Sequence, residues 1–126
     1  MKRSDIIRRL DQVFADYIKL RDSIDGKYRC ISCFKPVSRS QIQCGHYIPR
    51  KHLAARWDEA NAHSQCIDCN CFKDGNLIEY RKNLIKKVGR LKVEQLEASR
   101  FSFVKYSDAE LLEKLEHYRK LLKDAV

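Results

Sequence analysis

The sequence lacks several features that would assign it to a membrane, secreted or repeat protein. It contains no internal repeat, no low-complexity segment and only two prolines. No apolar run approaches the roughly 18 to 20 residues that a membrane-spanning helix requires. The first residues, "MKRSDIIRRLDQVF", lack the apolar central region and cleavage site of a secretory signal. We therefore expect a soluble, cytoplasmic protein without a membrane partner.

The length of the chain limits its domain organisation. A chain of 126 residues can bury roughly two thirds of its unfolded surface but is too short for two independent cores. A composition of 44% hydrophobic and 34% charged residues is typical of a globular protein. One domain, residues 1–126, is the expectation.

Acidic residues are scarce relative to basic ones. The chain has 26 Lys and Arg against 17 Asp and Glu, which gives a net charge of +9. A surplus of this size on a small domain favours a polyanionic partner, and nucleic acid is the obvious candidate. Composition alone also permits a basic protein that its charge merely keeps in solution.

Six cysteines in a reducing compartment favour a metal site over disulfides. Four form two C-x-x-C pairs, "CISC" and "CIDC", and this spacing lets two thiolates converge on one tetrahedral zinc. The alternative, a redox C-x-x-C, needs a thioredoxin-like context that is not seen here. The remaining two, Cys44 and Cys71, are interpreted as small buried residues. The predicted zinc ligands are Cys30, Cys33, Cys66 and Cys69.

The outer parts of the chain have the apolar period of helices. Ser4 is a candidate cap for a first helix within residues 1–28, whose exposed side would carry Arg8, Arg9, Lys19 and Arg21. A second helix is predicted after Asn76, with Glu79 three residues on and Gly89 as its stop. A shorter helix follows in "LKVEQLEAS". The last begins at the capping box of Ser107 and Glu110, within a helical segment 91–126.

The middle of the chain loses the helical period. The stretches "SQIQCGHYI" and "ANAHSQC" are predicted to be two strands joined by the polar loop "PRKHLAARWDEA". Together with the cysteine pairs they predict a zinc-stapled core over residues 29–90. The expected fold class is α+β, with this core flanked by N-terminal and C-terminal helices.

The four cysteines complete a tetrahedral zinc shell, so His46 and His63 are available for another role. His46 stands between the cysteine pairs, whereas His63 lies just before the second pair. His52 and His117 are interpreted as ordinary surface or buried residues. Because Asn61 and Asn70 flank the second pair, the zinc knuckles can hold both asparagines near His46.

These residues carry a family resemblance. His46, Asn61 and Asn70 around the second C-x-x-C resemble the HNH, or ββα-metal, nuclease motif. More specifically, "CISC", "GHYIPR", "RWDEANAHSQCIDCN" and "GNLIEYRKNLIKKVG" resemble the NinG/Rap recombination family of lambdoid and related phages over nearly the whole chain. The resemblance implies a structure-specific endonuclease that cleaves branched recombination intermediates, such as Holliday junctions or D-loops. The zinc-flanked motif, with an asparagine directly after its last cysteine, is also similar to that of the T-even phage junction-resolving endonuclease.

The resemblance also implies a role for each residue of the motif. His46 would be the general base, because a neutral imidazole can accept a proton from water at cellular pH. Asn70 would bind a catalytic Mg²⁺ or Mn²⁺ through its amide oxygen. Asn61 would orient the loop, so that His46 faces the ion. His63 is a possible further metal ligand, with a purely structural role as the equal alternative.

One departure from the family pattern concerns the catalytic ion. Gly45 and Gln43 occupy positions where acidic residues are found in such nucleases, and an isolated amide is a weak ligand for a hard cation. Further oxygen ligands could come from the DNA phosphate or from Gln43, Asp68 or Asp74, and His63 could assist.

The expected partner is branched DNA, held through its phosphates by basic residues around the motif. Paired cuts at a junction favour a symmetric homodimer with two sites. The resemblance implies a phage or prophage origin and action inside the bacterial host. Two alternatives remain, a non-catalytic zinc module that binds DNA or a recombination protein, and a less selective HNH nicking endonuclease. The predicted DNA contacts are Arg39, Arg50, Lys51, Arg56 and Lys73.

Overall fold

The computed structural model describes residues 1–125, and these residues form five α-helices and four short strands. The predicted C-terminal segment ends at residue 126, which lies outside the described part. The elements in chain order are α1 (Arg3–Asp22), β1 (Tyr28–Arg29), β2 (Pro36–Val37), β3 (Ile42–His46), α2 (Leu53–Arg56), β4 (Ala62–Cys66), α3 (Leu77–Val88), α4 (Arg90–Ala98) and α5 (Asp108–Asp124).

The first helix buries one stripe of apolar side chains. Ile6, Leu10, Phe14 and Ile18 recur at intervals of four residues, and all are fully buried. The predicted cap is wrong, because the helix already begins at Arg3 and no side chain caps it. The helix ends at Asp22, within the predicted segment 1–28.

The last helix packs against the first. Leu111, Leu115 and Tyr118 of α5 are buried, and the Tyr118 ring meets Phe14 of α1 edge to face with ring centroids 5.1 Å apart. The predicted capping box is confirmed, since the Ser107 hydroxyl accepts from the Glu110 amide and the Glu110 carboxylate accepts from the Ser107 amide. Helices α1 and α5 therefore form one side of the molecule.

The predicted hairpin is confirmed. Strands β3 and β4 pair antiparallel, with His46 opposite Ala62 and Ile42 opposite Cys66. The loop between them contains α2 and a 3₁₀ turn at Glu59–Asn61. Strand β4 is buried along its whole length, whereas β3 has no second neighbouring strand within residues 1–125. One long edge of β3 is therefore open.

Helices α3 and α4 cover the other face of the hairpin. Tyr80 and Leu84 of α3 pack with Val93 and Leu96 of α4 in a second apolar cluster. Gly89 separates the two helices with φ of 91°, a conformation that glycine adopts without a steric cost. The Tyr80 hydroxyl donates to the Gly45 carbonyl at 2.6 Å and so fastens α3 to β3.

The start of α3 was predicted correctly, but its capping bond was not. Asn76 adopts a left-handed conformation with φ of 44°, and its side chain donates to the Cys69 sulfur instead of capping the helix. The α+β class is confirmed, while the division of the chain into three segments stays a prediction. Among the helices of residues 1–125, none is long and apolar enough to cross a membrane.

Candidate functional site

The four cysteines of the two C-x-x-C pairs converge as predicted. Their sulfur atoms all lie within 4.8 Å of one another, and three of the four residues are buried. Zinc bound tetrahedrally at about 2.3 Å would place two sulfurs about 3.8 Å apart. Cys33 Sγ and Cys66 Sγ lie 3.9 Å apart. The cluster therefore has the ligand set and the spacing of a structural zinc site.

Local backbone geometry builds each half of this cysteine cluster. The first pair sits in a tight turn, in which the Phe34 amide donates to the Cys30 carbonyl at 2.9 Å and Phe34 itself has φ of 63°. In the second half, the Cys69 amide donates to Cys66 Sγ at 3.4 Å and Asn76 Nδ2 to Cys69 Sγ at 3.5 Å. Such donors stabilise thiolates.

Burial opposes ionisation of most of this cluster. It raises the pKa of the Cys69 thiol to about 12 and also raises that of Cys30. Burial acts in the same direction on Cys66, but hydrogen bonds, first among them that from the Cys69 amide, lower the pKa of this thiol. A bound dication reverses this preference, because metal ligation deprotonates a thiol. The cysteine cluster is therefore suited to a metal rather than to free thiolates.

A second feature is an open groove of about 540 Å³ along the free edge of β3. Helix α1 forms one wall, and the segment 70–77 forms the other. No residue of β4 lines it. We call it the β3 groove. Its lining residues are Asp11, Gln12, Ala15, Lys19, Ile42, Gln43, Cys44, His46, Tyr47, Pro49, Arg50, Asn70, Asp74, Gly75 and Leu77.

His46 lies in the β3 groove with a defined ring orientation. Its Nε2 is 2.9 Å from the Arg56 carbonyl, which can only accept a hydrogen bond. Nε2 therefore carries the proton, and Nδ1 keeps the lone pair of the neutral imidazole. Burial lowers the pKa of His46 below its usual 6.5, so the ring is neutral at pH 7.

Asn70 lies in the same groove, in the π-helical turn Asp68–Phe72 that follows the second cysteine pair. Its Nδ2 donates to Oε1 of Gln43 on β3 at 2.8 Å. The next residue, Cys71, donates to the same oxygen at 3.3 Å. Cys71 is exposed, which corrects its interpretation as a buried residue. The structure thus brings Asn70 and His46 to one surface.

The two candidate carboxylates differ in position. Asp74 lines the β3 groove. Asp68 does not, and its carboxylate lies 3.4 Å from the ammonium of Lys73 beside the cysteine cluster. Of the two, Asp74 is the one placed to help Asn70 hold a cation.

Gly45 explains why no acidic residue precedes His46. A Cβ at this position would lie 1.9 Å from Oε1 and 2.9 Å from Cβ of Gln65. Gln65 is fully buried, and its Nε2 donates to Ser32 Oγ at 2.8 Å and to the Gly75 carbonyl at 2.6 Å. Gln65 thereby connects the first cysteine turn, β3 and the wall of the β3 groove, and it leaves no room for a side chain at 45.

Asn61 is buried behind the groove rather than exposed in it. Its side-chain oxygen accepts from the Ile48 amide at 2.8 Å, and its Nδ2 donates to the carbonyls of Ile48 and Ala55 at 3.0 and 3.1 Å. These bonds tie the end of β3 to the loop that contains α2. The Arg56 carbonyl that orients His46 follows directly after Ala55.

His63 is in the interior and does not line the β3 groove. It is 1% exposed, and its Nδ1 lies 3.4 Å from the Tyr80 hydroxyl. Burial lowers the pKa of His63 to about 3. The geometry therefore favours the structural interpretation of His63 over metal binding.

The predicted basic contacts fall into two groups. Arg39, Arg50 and Lys51 are exposed, and Arg50 lines the β3 groove. Arg56 is held by both carboxylate oxygens of Asp11, at 3.1 and 2.6 Å. Its guanidinium does not line the β3 groove but an adjoining hollow that shares Asp11 and Arg50 with it. Lys73 is exposed beside Asp68, as described above.

Sequence reasoning missed the contribution of α1 to the site. Asp11, Ala15 and Lys19 line the groove at intervals of four residues, with Gln12 beside them. This spacing was a usable signal, since it marks a second helix face next to the buried stripe. Arg21, predicted to be on the solvated side, instead donates to the backbone carbonyls of Glu59 and Ala62 at 2.7 Å each.

The chain was compared with known proteins. The family model described as NinG, "Bacteriophage Lambda NinG protein", matches residues 1–126. The protein ninG of Escherichia phage 933W is 38% identical over 100 residues, which cover 77% of this chain and 47% of that protein. The protein ninG of Salmonella phage P22 is 38% identical over 76% of this chain and 46% of its own length. That of Escherichia phage lambda is 37% identical over 77% and 46%.

These matches show the family of the chain and the share of its relatives' length that it covers. The chain spans about half the length of the curated relatives it matches. No solved structure gives a significant match.

Proposed function

Because this chain belongs to the NinG family of bacteriophage proteins, we propose that it is a metal-dependent endonuclease for branched DNA of the HNH, or ββα-metal, type. From β3 to α3 the chain forms a hairpin, a turn and a helix, the order that the name ββα describes. Hydrolysis of a phosphodiester needs a base for water and a cation for the phosphate, and the β3 groove offers a residue for each.

The observation that carries the proposal is the position of His46 and Asn70 in one open groove. The Arg56 carbonyl keeps the proton on Nε2 of His46, so Nδ1 is the atom that accepts a proton from the attacking water. Burial lowers the pKa of His46, which keeps the imidazole in the neutral form that can accept a proton at pH 7.

Asn70 and Asp74 are the proposed ligands of a catalytic Mg²⁺ or Mn²⁺ in the β3 groove. The amide of Asn70 uses its nitrogen on Gln43, which leaves its oxygen for a cation. When bound, the divalent ion would polarise the scissile phosphate and stabilise the leaving oxygen. The cysteine cluster lies outside the groove, and its proposed role is to stabilise the hairpin.

Asn61 is proposed to be a positioning residue. Its three hydrogen bonds fix the loop that presents the Arg56 carbonyl to His46. Without this loop geometry, the imidazole would be free to turn and to change its tautomer.

A second candidate function is a zinc-stabilised DNA-binding protein without catalysis. The observation that favours it is the lack of space at position 45, where a carboxylate ligand would otherwise stand. The Asp11 carboxylate that also lines the groove is bound by Arg56 and Trp57. With Asn70 and Asp74 as its proposed ligands, the β3 groove has fewer hard ligands than most Mg²⁺ sites. Phosphate binding alone would need only the basic rim around Arg50.

The proposal is tested by cleavage of a labelled four-way junction, a D-loop and a linear duplex in Mg²⁺, Mn²⁺ or EDTA. We expect metal-dependent cleavage of the branched substrates, because the family resemblance points to them. His46→Ala should bind the junction as wild type does and cut it about 10²- to 10⁴-fold more slowly.

The matched control is His117→Ala, since His117 is an exposed histidine of α5 that does not line the groove. It should cut at the wild-type rate. If wild type and both variants bind all substrates and cut none, the non-catalytic function is correct. Equal cleavage of linear and branched DNA would instead indicate a less selective nicking enzyme.

A further inference from the structure

An arginine-lined hollow lies between α1 and α5, and neither the metal site nor the β3 groove includes it. Its volume is about 510 Å³, and its lining residues are Arg8, Arg9, Gln12, Val13 and Arg119. None of the carboxylates of residues 1–125 lines it. Three guanidinium groups in one open hollow form a surface that favours an anion.

The three arginines are only weakly engaged within the protein. Arg8 lies 3.5 Å from Asp5 and Arg119 lies 2.7 Å from Glu116, each three residues away on its own helix and exposed. Exposed pairs of this kind contribute at most about 1 kcal/mol. Arg9 forms no ion pair with any carboxylate of residues 1–125. Unlike Arg56, these guanidinium groups are free to bind an external ligand.

The arginine hollow is continuous with the β3 groove. A third hollow of about 430 Å³ shares Asp11, Gln12, Ala15 and Arg50 with the groove, and it shares Arg8 and Gln12 with the arginine hollow. All three follow the exposed face of α1. The surface is therefore one track rather than three separate depressions.

The length of this track matches a short run of nucleotides. His46 lies beside Phe14 of α1, with ring centroids 6.1 Å apart. From Phe14 to Arg8 the helix rises about 9 Å at 1.5 Å per residue. At about 3.4 Å per base-pair step, this corresponds to about two to four steps of duplex.

We propose that Arg8, Arg9 and Arg119 form a second phosphate-binding site, which holds the DNA backbone about two to four nucleotides from the cleaved bond. The inference rests on the proposed function, because it takes the β3 groove as the place of cleavage. Guanidinium groups bind phosphate oxygens in a bidentate manner and independently of base identity. The arginine hollow thus fixes the path of one arm of the branched DNA and does not contact its bases.

The test compares the triple variant Arg8→Gln/Arg9→Gln/Arg119→Gln with wild type in junction binding at several salt concentrations. The matched control, Lys82→Gln/Lys86→Gln/Arg90→Gln, removes the same charge from exposed positions of α3 and α4. We expect the first variant to bind about tenfold or more weakly and to reduce the slope of log affinity against log salt by about 2 to 3. The control should retain the wild-type slope. Circular dichroism melting verifies that both variants fold.

Position is tested with junctions in which neutral methylphosphonate linkages replace the phosphates about two to four steps from the cleavage site. These linkages should weaken binding by wild type but not by the arginine variant. Equal weakening of both proteins, or a variant that binds as tightly as the control, would overturn the inference. If wild type binds junctions but does not cut them, the nuclease proposal is refuted and the phosphate-binding proposal is not. The salt dependence of the arginine variant and its control would still decide whether the arginines bind phosphate.

Discussion

Gly45 is the residue at which the β3 groove is most tightly restricted. A methyl group there would collide with the side chain of Gln65, which is buried and hydrogen-bonded to Ser32 and Gly75. We expect Gly45→Ala to lower the free energy of unfolding by about 1 to 3 kcal/mol, as overpacking does. Urea denaturation followed by circular dichroism measures this loss.

The control for this substitution is a double-mutant cycle with Gln65→Ala. That change removes the two closest atoms, Oε1 and Cδ, and keeps the Cβ at 2.9 Å. The loss caused by Gly45→Ala should therefore be smaller in the Gln65→Ala background. An equal loss in both backgrounds would show that Gln65 is not what excludes a side chain at position 45.

His63 makes stability depend on pH. Its pKa is about 3 in the folded chain and close to 6.5 when unfolded. Between these values the unfolded chain binds a proton that the folded chain does not, so stability is complete above pH 6.5 and falls as the pH drops. The slope contributed by His63 is at most about 1.4 kcal/mol per pH unit.

The measurement is urea denaturation at about pH 7.5 and 5.5, in excess zinc, for wild type and His63→Gln. Zinc release and protonation of His46 affect both proteins, and the difference between them isolates His63. We expect the variant to lose less stability on acidification. Parallel losses would contradict a buried neutral His63.

Among individual residues, the sequence was enough to predict the cysteine ligands, because the two cysteines of each C-x-x-C pair are close in sequence. It did not find the role of Asp11, which binds Arg56 across 45 residues of chain. An arginine that is exposed in a loop and one that is held by a distant carboxylate look the same in a sequence. Burial of Asn61 and His63 was hidden for the same reason.

At the scale of elements, two helix starts with similar sequence signals have different structures. Ser107 and Glu110 form the capping box that their spacing predicts. Asn76 also stands before a helix, but its side chain is used on the sulfur of Cys69. The local motif therefore predicted where α3 begins. It did not predict the partner of the Asn76 side chain, which is the Cys69 sulfur and not the backbone of the helix.

The cysteine cluster joins the turn between β1 and β2 to the end of β4. We expect purified protein to contain one zinc per chain and to lose the hairpin when the metal is removed, because metal binding supplies folding free energy in small zinc domains. Cys69→Ser should lose zinc and melt at a lower temperature.

The matched control for Cys69→Ser is Cys71→Ser, which alters an exposed cysteine two residues away. It should retain zinc and melt as wild type does. Metal analysis and thermal melting measure both properties. Less than about half an equivalent of zinc in a fully folded wild type would contradict the four-cysteine site.

At the scale of the whole molecule, the hairpin lies between two apolar clusters. One contains α1 and α5, and the other contains α3 and α4. The helix pattern predicted these elements, but not that α1 would form a wall of the candidate site, since that contact depends on tertiary packing. The predicted homodimer stays a prediction, and sedimentation of a monomer both free and on junction DNA would count against it.

The central claim is that His46 and Asn70 act together in the β3 groove. The most direct measurement is single-turnover cleavage of a four-way junction by His46→Ala, Asn70→Ala and the double variant. If they serve one site, each single variant loses about 10²- to 10⁴-fold in rate, and the double variant is little slower than the slower single. Losses that multiply fully, or a single variant that cuts at the wild-type rate, would contradict the claim.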